Sequence, residues 1–192
     1  MLSSTIIEEI SRHCKSGSLL AFAYFYFDFN DTDTRLNGIL RSLITQLSLQ
    51  FGSTPGALEK LFSENTEGHQ PATPEKLVST LKSIVGSFQT VYIIFDALDE
   101  YPKRVELLTL LRDFHNWGLG TLHILATSRN ERDIAETLDS LVSHRIPMEG
   151  FVDGDIRVYV SHTLDHDLKF QMCSAEEKKM IETTLISGAH GM

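Results

Sequence analysis

The sequence predicts an α/β domain built on a parallel sheet with helices on both faces. The continuous apolar run Val91–Phe95, and the mostly apolar start of Leu122–Asn130, are too short for helices and read as buried strands. Each run ends in polar residues, and stretches of helical periodicity separate the runs. Strands alternating with helices are the pattern of a parallel sheet wrapped on both sides.

Each element has its own signature. Residues 2–14 put Leu2, Ile6, Ile7, Ile10 and Cys14 on one helical face before Ser16-Gly17-Ser18 stops them. Leu19–Phe29 is an aromatic-rich run that reads as a long buried strand. Asn30 to Thr34 is a turn with helix-capping residues, and Leu36, Ile39, Leu40, Leu43, Ile44 and Leu47 then repeat at helical spacing. Thr54-Pro55 opens a shorter helix to about Phe62, and a polar loop runs from Ser63 to Thr73. Thr73-Pro74-Glu75 is a helix start, with capping residue, proline and acid in order. Leu77, Leu81, Ile84 and Val85 form the buried face of that helix.

After the Val91–Phe95 strand, Pro102 precedes a helix carrying Leu107, Leu108, Leu111 and Phe114, ended by Gly118 and Gly120. The strand from Leu122 to Asn130 follows, with Asn130 placed to cap a helix through about Leu138. Ser143–Ile146 reads as a short strand closed by Pro147. From Gly150 the pattern changes to helix only: Asp153 to about Leu168, then a second helix opened by the capping box Ser174-Ala175-Glu176-Glu177. The division this predicts is a core over residues 1–150 and the start of a helical subdomain over 151–192.

Composition narrows the partners. Hydrophobic content of 42% and charged content of 22% are those of an ordinary globular chain. A net charge of −9 disfavours a nucleic-acid backbone as partner. Cys14 and Cys173 fit neither a disulfide framework nor a zinc spacing. No apolar run reaches membrane-spanning length, and Glu8 and Glu9 interrupt any signal-peptide pattern. A cytoplasmic protein with no membrane or nucleic-acid partner is the expectation.

The chemistry-bearing stretch is Val91-Tyr92-Ile93-Ile94-Phe95-Asp96-Ala97-Leu98-Asp99-Glu100. It places Asp96 at the C-terminal end of a strand, where open α/β sheets bind ligands, with Asp99 and Glu100 in the next loop. Such a carboxylate, with more acid close behind, can hold Mg²⁺ through water and polarise an attacking water. The stretch looks like a Walker B motif. Acids after a strand also serve simply to cap the next helix.

Taken in order, these residues resemble the NACHT branch of the signal-transducing (STAND) P-loop NTPases. The match is to fungal NACHT proteins and their nephrocystin-like relatives, which carry ankyrin, WD or tetratricopeptide repeats downstream. That family has a small residue after the Walker B aspartate and an acid two positions beyond it; Ala97 and Asp99 match. Ile124 to Arg129 is similar to the family's sensor 1 strand. The resemblance implies that Asp96 coordinates Mg²⁺ through water and that Asp99, helped by Glu100, orients or deprotonates the hydrolytic water. It implies that Arg129 senses the γ-phosphate of ATP or GTP, a fixed positive charge meeting developing negative charge. An ordinary salt bridge from Arg129 to Glu131 or Asp133 is the competing reading. The implied activity is nucleotide-controlled oligomerisation within a multidomain signalling protein.

One departure bears on all of this. A P-loop needs G-x-x-x-x-G-K-[ST], so that backbone N–H groups and a lysine cradle the phosphates; the sequence contains none. In the family it lies just before a helix resembling Leu2–Cys14, so the chain is expected to begin immediately after it. It is then an internal piece of a larger protein or a shortened gene product. The strand leading into the P-loop, which in the family lies beside the sensor 1 strand, is expected to be missing too, exposing an edge in mid-sheet. The alternative function is a catalytically dead interaction or scaffold module. His162 and His166, four apart, lack the metalloprotease glutamate because Thr163 follows the first; they read as surface histidines.

Overall fold

The computed structural model describes residues 2–15, 17, 19–30, 35–65, 70–148 and 153–189. Three parallel strands form one sheet in the order β1-β2-β3: Leu20–Tyr26, Thr90–Asp96 and Leu122–Ala126. Phe22 pairs with Tyr92, Tyr92 with His123, and Tyr26 with Asp96, so the C-terminal ends of β1 and β2 lie level. The predicted α/β class and its parallel sheet are what the molecule has.

The core forms where helical stripes meet the pleat. Helix α2, Leu36–Ser48, buries Ile39, Leu40, Leu43 and Leu47, and α4, Pro74–Val85, buries Leu77, Leu81, Ile84 and Val85. These side chains share one cluster with Ala21 and Ala23 of β1 and Val91, Ile93 and Phe95 of β2. Helix α5, Arg104–Asn116, adds Leu107, Leu108, Leu111 and Phe114. Strand residues two apart line one face, which is why alternate positions of β1 and β2 enter this cluster. On the opposite face Tyr92 meets His13 of α1, Leu2–Cys14, edge-on with ring centroids 6.0 Å apart. Thr73 caps α4, its hydroxyl accepting from the Lys76 N–H at 3.4 Å, and α3 spans Gly56–Glu64.

Several expectations need correction. Strand β1 stops at Tyr26, and on its outer face Tyr24 and Tyr26 are exposed. Strand β3 is an edge, and His123, Ile124 and Ala126 are exposed, because no described residue pairs along its outer side. Helix α6 is Arg132–Leu138 with Glu131 at its N-cap, so Asn130 is not the cap. Residues 143–146 form no strand. The predicted turn over residues 31–34 lies outside the described residues.

The described chain divides into two compact units, Met1–Leu141 and Val142–Met192. The second contains α7, Asp153–His166, and α8, Ala175–Ala189. Ser161 Oγ of α7 donates to Glu182 Oε1 of α8 at 2.6 Å, and Lys178 reaches Asp165 at 3.5 Å. The capping box forms: the Glu177 N–H donates to Ser174 Oγ at 3.2 Å and the Ser174 N–H to Glu177 Oε2 at 2.8 Å. The Ser174 N–H, and then the Ser174 hydroxyl, hold the Glu177 carboxyl below the usual glutamate range. No helix among the described residues is long and apolar enough to cross a membrane.

Candidate functional site

Asp96 ends the central strand, and two hydroxyls converge on its Oδ1. One is Ser3 Oγ, from the first turn of α1; the other is Thr127 Oγ1, just past β3, at 2.5 Å. Ser3 is buried. Its bond brings the start of α1 to the C-terminal end of the sheet, where the first N–H groups of a helix carry partial positive charge. The first turn of α1 contains no acidic residue that would oppose an anion there.

The chain leaves Asp96 through a sharp corner. Ala97 has φ 60° and ψ 55°, and among the described residues it is the one non-glycine with positive φ. The left-handed region crowds any side chain with a Cβ, by about 1–2 kcal/mol, and a branched or bulky one most of all. Thr127 holds the corner from across the sheet. Its Oγ1 accepts the Ala97 N–H at 3.0 Å, and its carbonyl accepts the Leu98 N–H at 2.9 Å. The Thr127 N–H in turn donates to the Phe95 carbonyl at 2.9 Å. Thr127 thus orients the Asp96 carboxylate and pins the backbone after it.

A short 3-10 turn, Leu98–Glu100, carries the remaining acids. Asp99 Oδ1 accepts the backbone N–H of Arg129 at 3.0 Å, and Asp99 Oδ2 lies 3.4 Å from Arg129 Nε. The pair is lopsided in exposure: the Asp99 side chain is 9% accessible and that of Arg129 64%. The competing sequence reading of Arg129 named the wrong partners, since Glu131 and Asp133 both meet Arg104, at 3.6 and 3.0 Å. Glu100 Oε2 accepts the Phe29 N–H at 3.0 Å, tying the acidic turn to the segment after β1.

Asp96, Asp99, Glu100 and Arg129 therefore gather at one end of the sheet, where Asp99 and Arg129 bond to each other while Asp96 bonds to Ser3 and Thr127 and Glu100 to the Phe29 N–H. No group of three or more metal-ligating side chains forms among the described residues. The oxygen donor of Asp96 suits a hard, largely hydrated cation such as Mg²⁺, which one or two carboxylates hold without a closed protein cage. Ser3 and Thr127 were not singled out from the sequence. Thr127 stands inside the strand-end stretch that drew attention, and the signal for Ser3 was a small polar residue in the first turn of a helix opening on the site. His162 and His166 stack with centroids 4.2 Å apart, and the second ring faces the His162 carbonyl through Nδ1 at 2.9 Å.

The family described as Nephrocystin 3, N-terminal, fits residues 1–129. That span holds the sheet, the Asp96 corner and Arg129. No curated protein and no solved structure matches the chain.

Proposed function

The chain belongs to the nephrocystin 3 N-terminal family, and we propose that it is a NACHT-like nucleotide-binding signalling module, part of a STAND-type NTPase in which ATP or GTP with Mg²⁺ controls oligomerisation. The observation that carries this reading is the bond from Ser3, in the first turn of α1, to Asp96 at the end of the central strand. A phosphate-binding segment joined directly to the start of α1 would be delivered beside the one carboxylate suited to Mg²⁺.

In this reading the residues divide the work. Asp96, oriented by Thr127, holds the Mg²⁺ that accompanies the phosphates. The first turn of α1 offers N–H groups to phosphate oxygens. Arg129 recognises the terminal phosphate, and Asp99 with Glu100 orients the attacking water. Arg129 and Asp99 are now bonded to each other. A terminal phosphate competing for the guanidinium would free Asp99 Oδ2, so recognition of the triphosphate and exposure of the water-orienting acid would be one event. Repeat domains downstream and further copies of the protein are the proposed partners, and the cytoplasm the proposed compartment.

One observation favours a second reading. Both oxygens of Asp99 are engaged, by the backbone and the side chain of Arg129. A family member that no longer turns over nucleotide, and serves as an interaction module, would keep such a tie as a structural strut.

The test uses the polypeptide together with whatever residues the gene encodes in frame before Met1. With a G-x-x-x-x-G-K-[ST] segment adjoining α1, a fluorescent ATP or GTP analogue should bind in a Mg²⁺-dependent way. Asp96→Asn should weaken that binding by about tenfold or more, a loss of about 1.4 kcal/mol. If neither analogue binds and Asp96→Asn changes nothing, the nucleotide reading falls and the interaction module stands.

A further inference from the structure

Among the described residues no strand neighbours the outer edge of β1, yet its backbone is bonded. The Phe22 N–H donates to Gln50 Oε1 at 3.1 Å, and Gln50 Nε2 donates back to the Phe22 carbonyl at 2.6 Å. Two residues along, the Tyr24 N–H donates to Gln46 Oε1 at 3.0 Å, and Gln46 Nε2 returns the bond to the Tyr24 carbonyl at 2.8 Å. Each primary amide presents one acceptor and one donor side by side, as a peptide group does. Two such amides in a row give β1 what a paired strand would give it.

The match is geometric. Four residues along a helix advance about 6 Å, and two residues along a strand advance about 6.6 Å. Glutamines four apart on α2 therefore fall in step with alternate residues of β1. The remaining amide hydrogens are also placed: Gln46 Nε2 donates to Ser42 Oγ at 3.0 Å and Gln50 Nε2 to the Gln46 carbonyl at 2.8 Å. Gln50 lies past the last residue of α2, but its N–H reaches the Leu47 carbonyl at 3.1 Å, which keeps it on the same ridge.

An open strand edge beside an aromatic face invites another chain. The β1 edge combines both hazards, because Phe22, Tyr24 and Tyr26 form a ladder with centroids 6.4 and 5.5 Å apart, and Tyr24 and Tyr26 are exposed. We propose that Gln46 and Gln50 act as a surrogate strand that closes the β1 edge against self-association. Growth of the sheet is thereby confined to the β3 side. This inference stands apart from the nucleotide reading, since none of its residues touches the Asp96 corner.

The test compares the whole 192-residue chain with a Gln46→Met, Gln50→Met variant. Methionine keeps the reach and the helix propensity and removes every amide bond. In the unaltered chain the Phe22 and Tyr24 amide hydrogens should exchange slowly with solvent; in the variant they should exchange faster by about tenfold or more. Light scattering should show the variant associating at lower concentration, with the far-ultraviolet circular dichroism unchanged. Both proteins carry the same β3 edge, so the difference between them reports β1. Fast exchange at Phe22 and Tyr24 in the unaltered chain would overturn the proposal, and this reading survives even a variant that fails to fold. Equal association of the two folded proteins would overturn it as well.

Discussion

Tyr101 shows how much one hydroxyl can matter. The ring is 1% exposed and packs on Phe27 with centroids 5.4 Å apart, but its hydroxyl has no hydrogen-bond partner among the described residues. Burial, and then the nearby Glu106 carboxylate, push its pKa above the ordinary 10.0. The unfolded chain ionises this tyrosine near 10.0 while the folded chain keeps it protonated. Below that pH the group causes no pH dependence, and stability falls as pH rises from it through the folded value. Tyr101→Phe removes an unpaired polar group and should raise stability at neutral pH by about 1 kcal/mol, measured by urea unfolding. The variant should also lose the part of the decline above pH 10.0 that Tyr101 causes.

The residues of the candidate site were unequally visible in the sequence. Asp96 stood out because an apolar run delivers it to a strand end, and the small residue at 97 now has a cause in its left-handed backbone. The bonds of Asp99 to Arg129 were hidden, because spacing along the chain pointed to Glu131 and Asp133 instead. Gln46 and Gln50 gave no signal at all. Glutamine at helical spacing reads as a wetted face, and only the antiparallel course of α2 beside β1 makes it something else.

Among the elements, the helices were the most legible. Stripes such as Leu36 to Leu47 and Leu77 to Val85 are long enough for the 3.6 period to show, and α2 and α4 bury them as expected. Strand ends were less so, since an apolar run continues in sequence past the point where pairing stops: β1 ends at Tyr26 although aromatics continue to Phe29. Burial of β3 was misjudged because a run of apolar residues records hydrophobicity and not which neighbours are there to cover it.

The capping box of α8 yields a pH-dependent prediction. The Glu177 carboxyl is held below its ordinary 4.5 by the Ser174 N–H and hydroxyl. A depressed folded value means that its contribution is present above pH 4.5 and disappears as pH falls through the folded value. Amide hydrogens in the first turn of α8 should lose protection progressively below pH 4.5. In Ser174→Ala they should be less protected at every pH and show a weaker acid dependence, read by hydrogen exchange.

For the molecule entire, the two sheet edges are unequal. Glutamine amides occupy one, while the other presents Ile124, 37% exposed, on a strand with no described neighbour along its outer side. The chain should therefore associate through β3 as its concentration rises. A charge on an edge strand opposes such pairing, so Ile124→Lys should shift the onset of association, followed by light scattering, to higher concentration. No shift would mean that association, where it occurs, uses another surface.

The chain has a single tryptophan, Trp117, at the end of α5 in the first unit, its ring 4.5 Å from that of Phe114. Indole emission is accordingly an optical tag that nature has placed on one unit and withheld from the other. Far-ultraviolet circular dichroism, by contrast, sums the helices of both. Recorded on the same sample during heating, the two signals would trace one curve if the units melt together and two if they melt apart, with no label introduced.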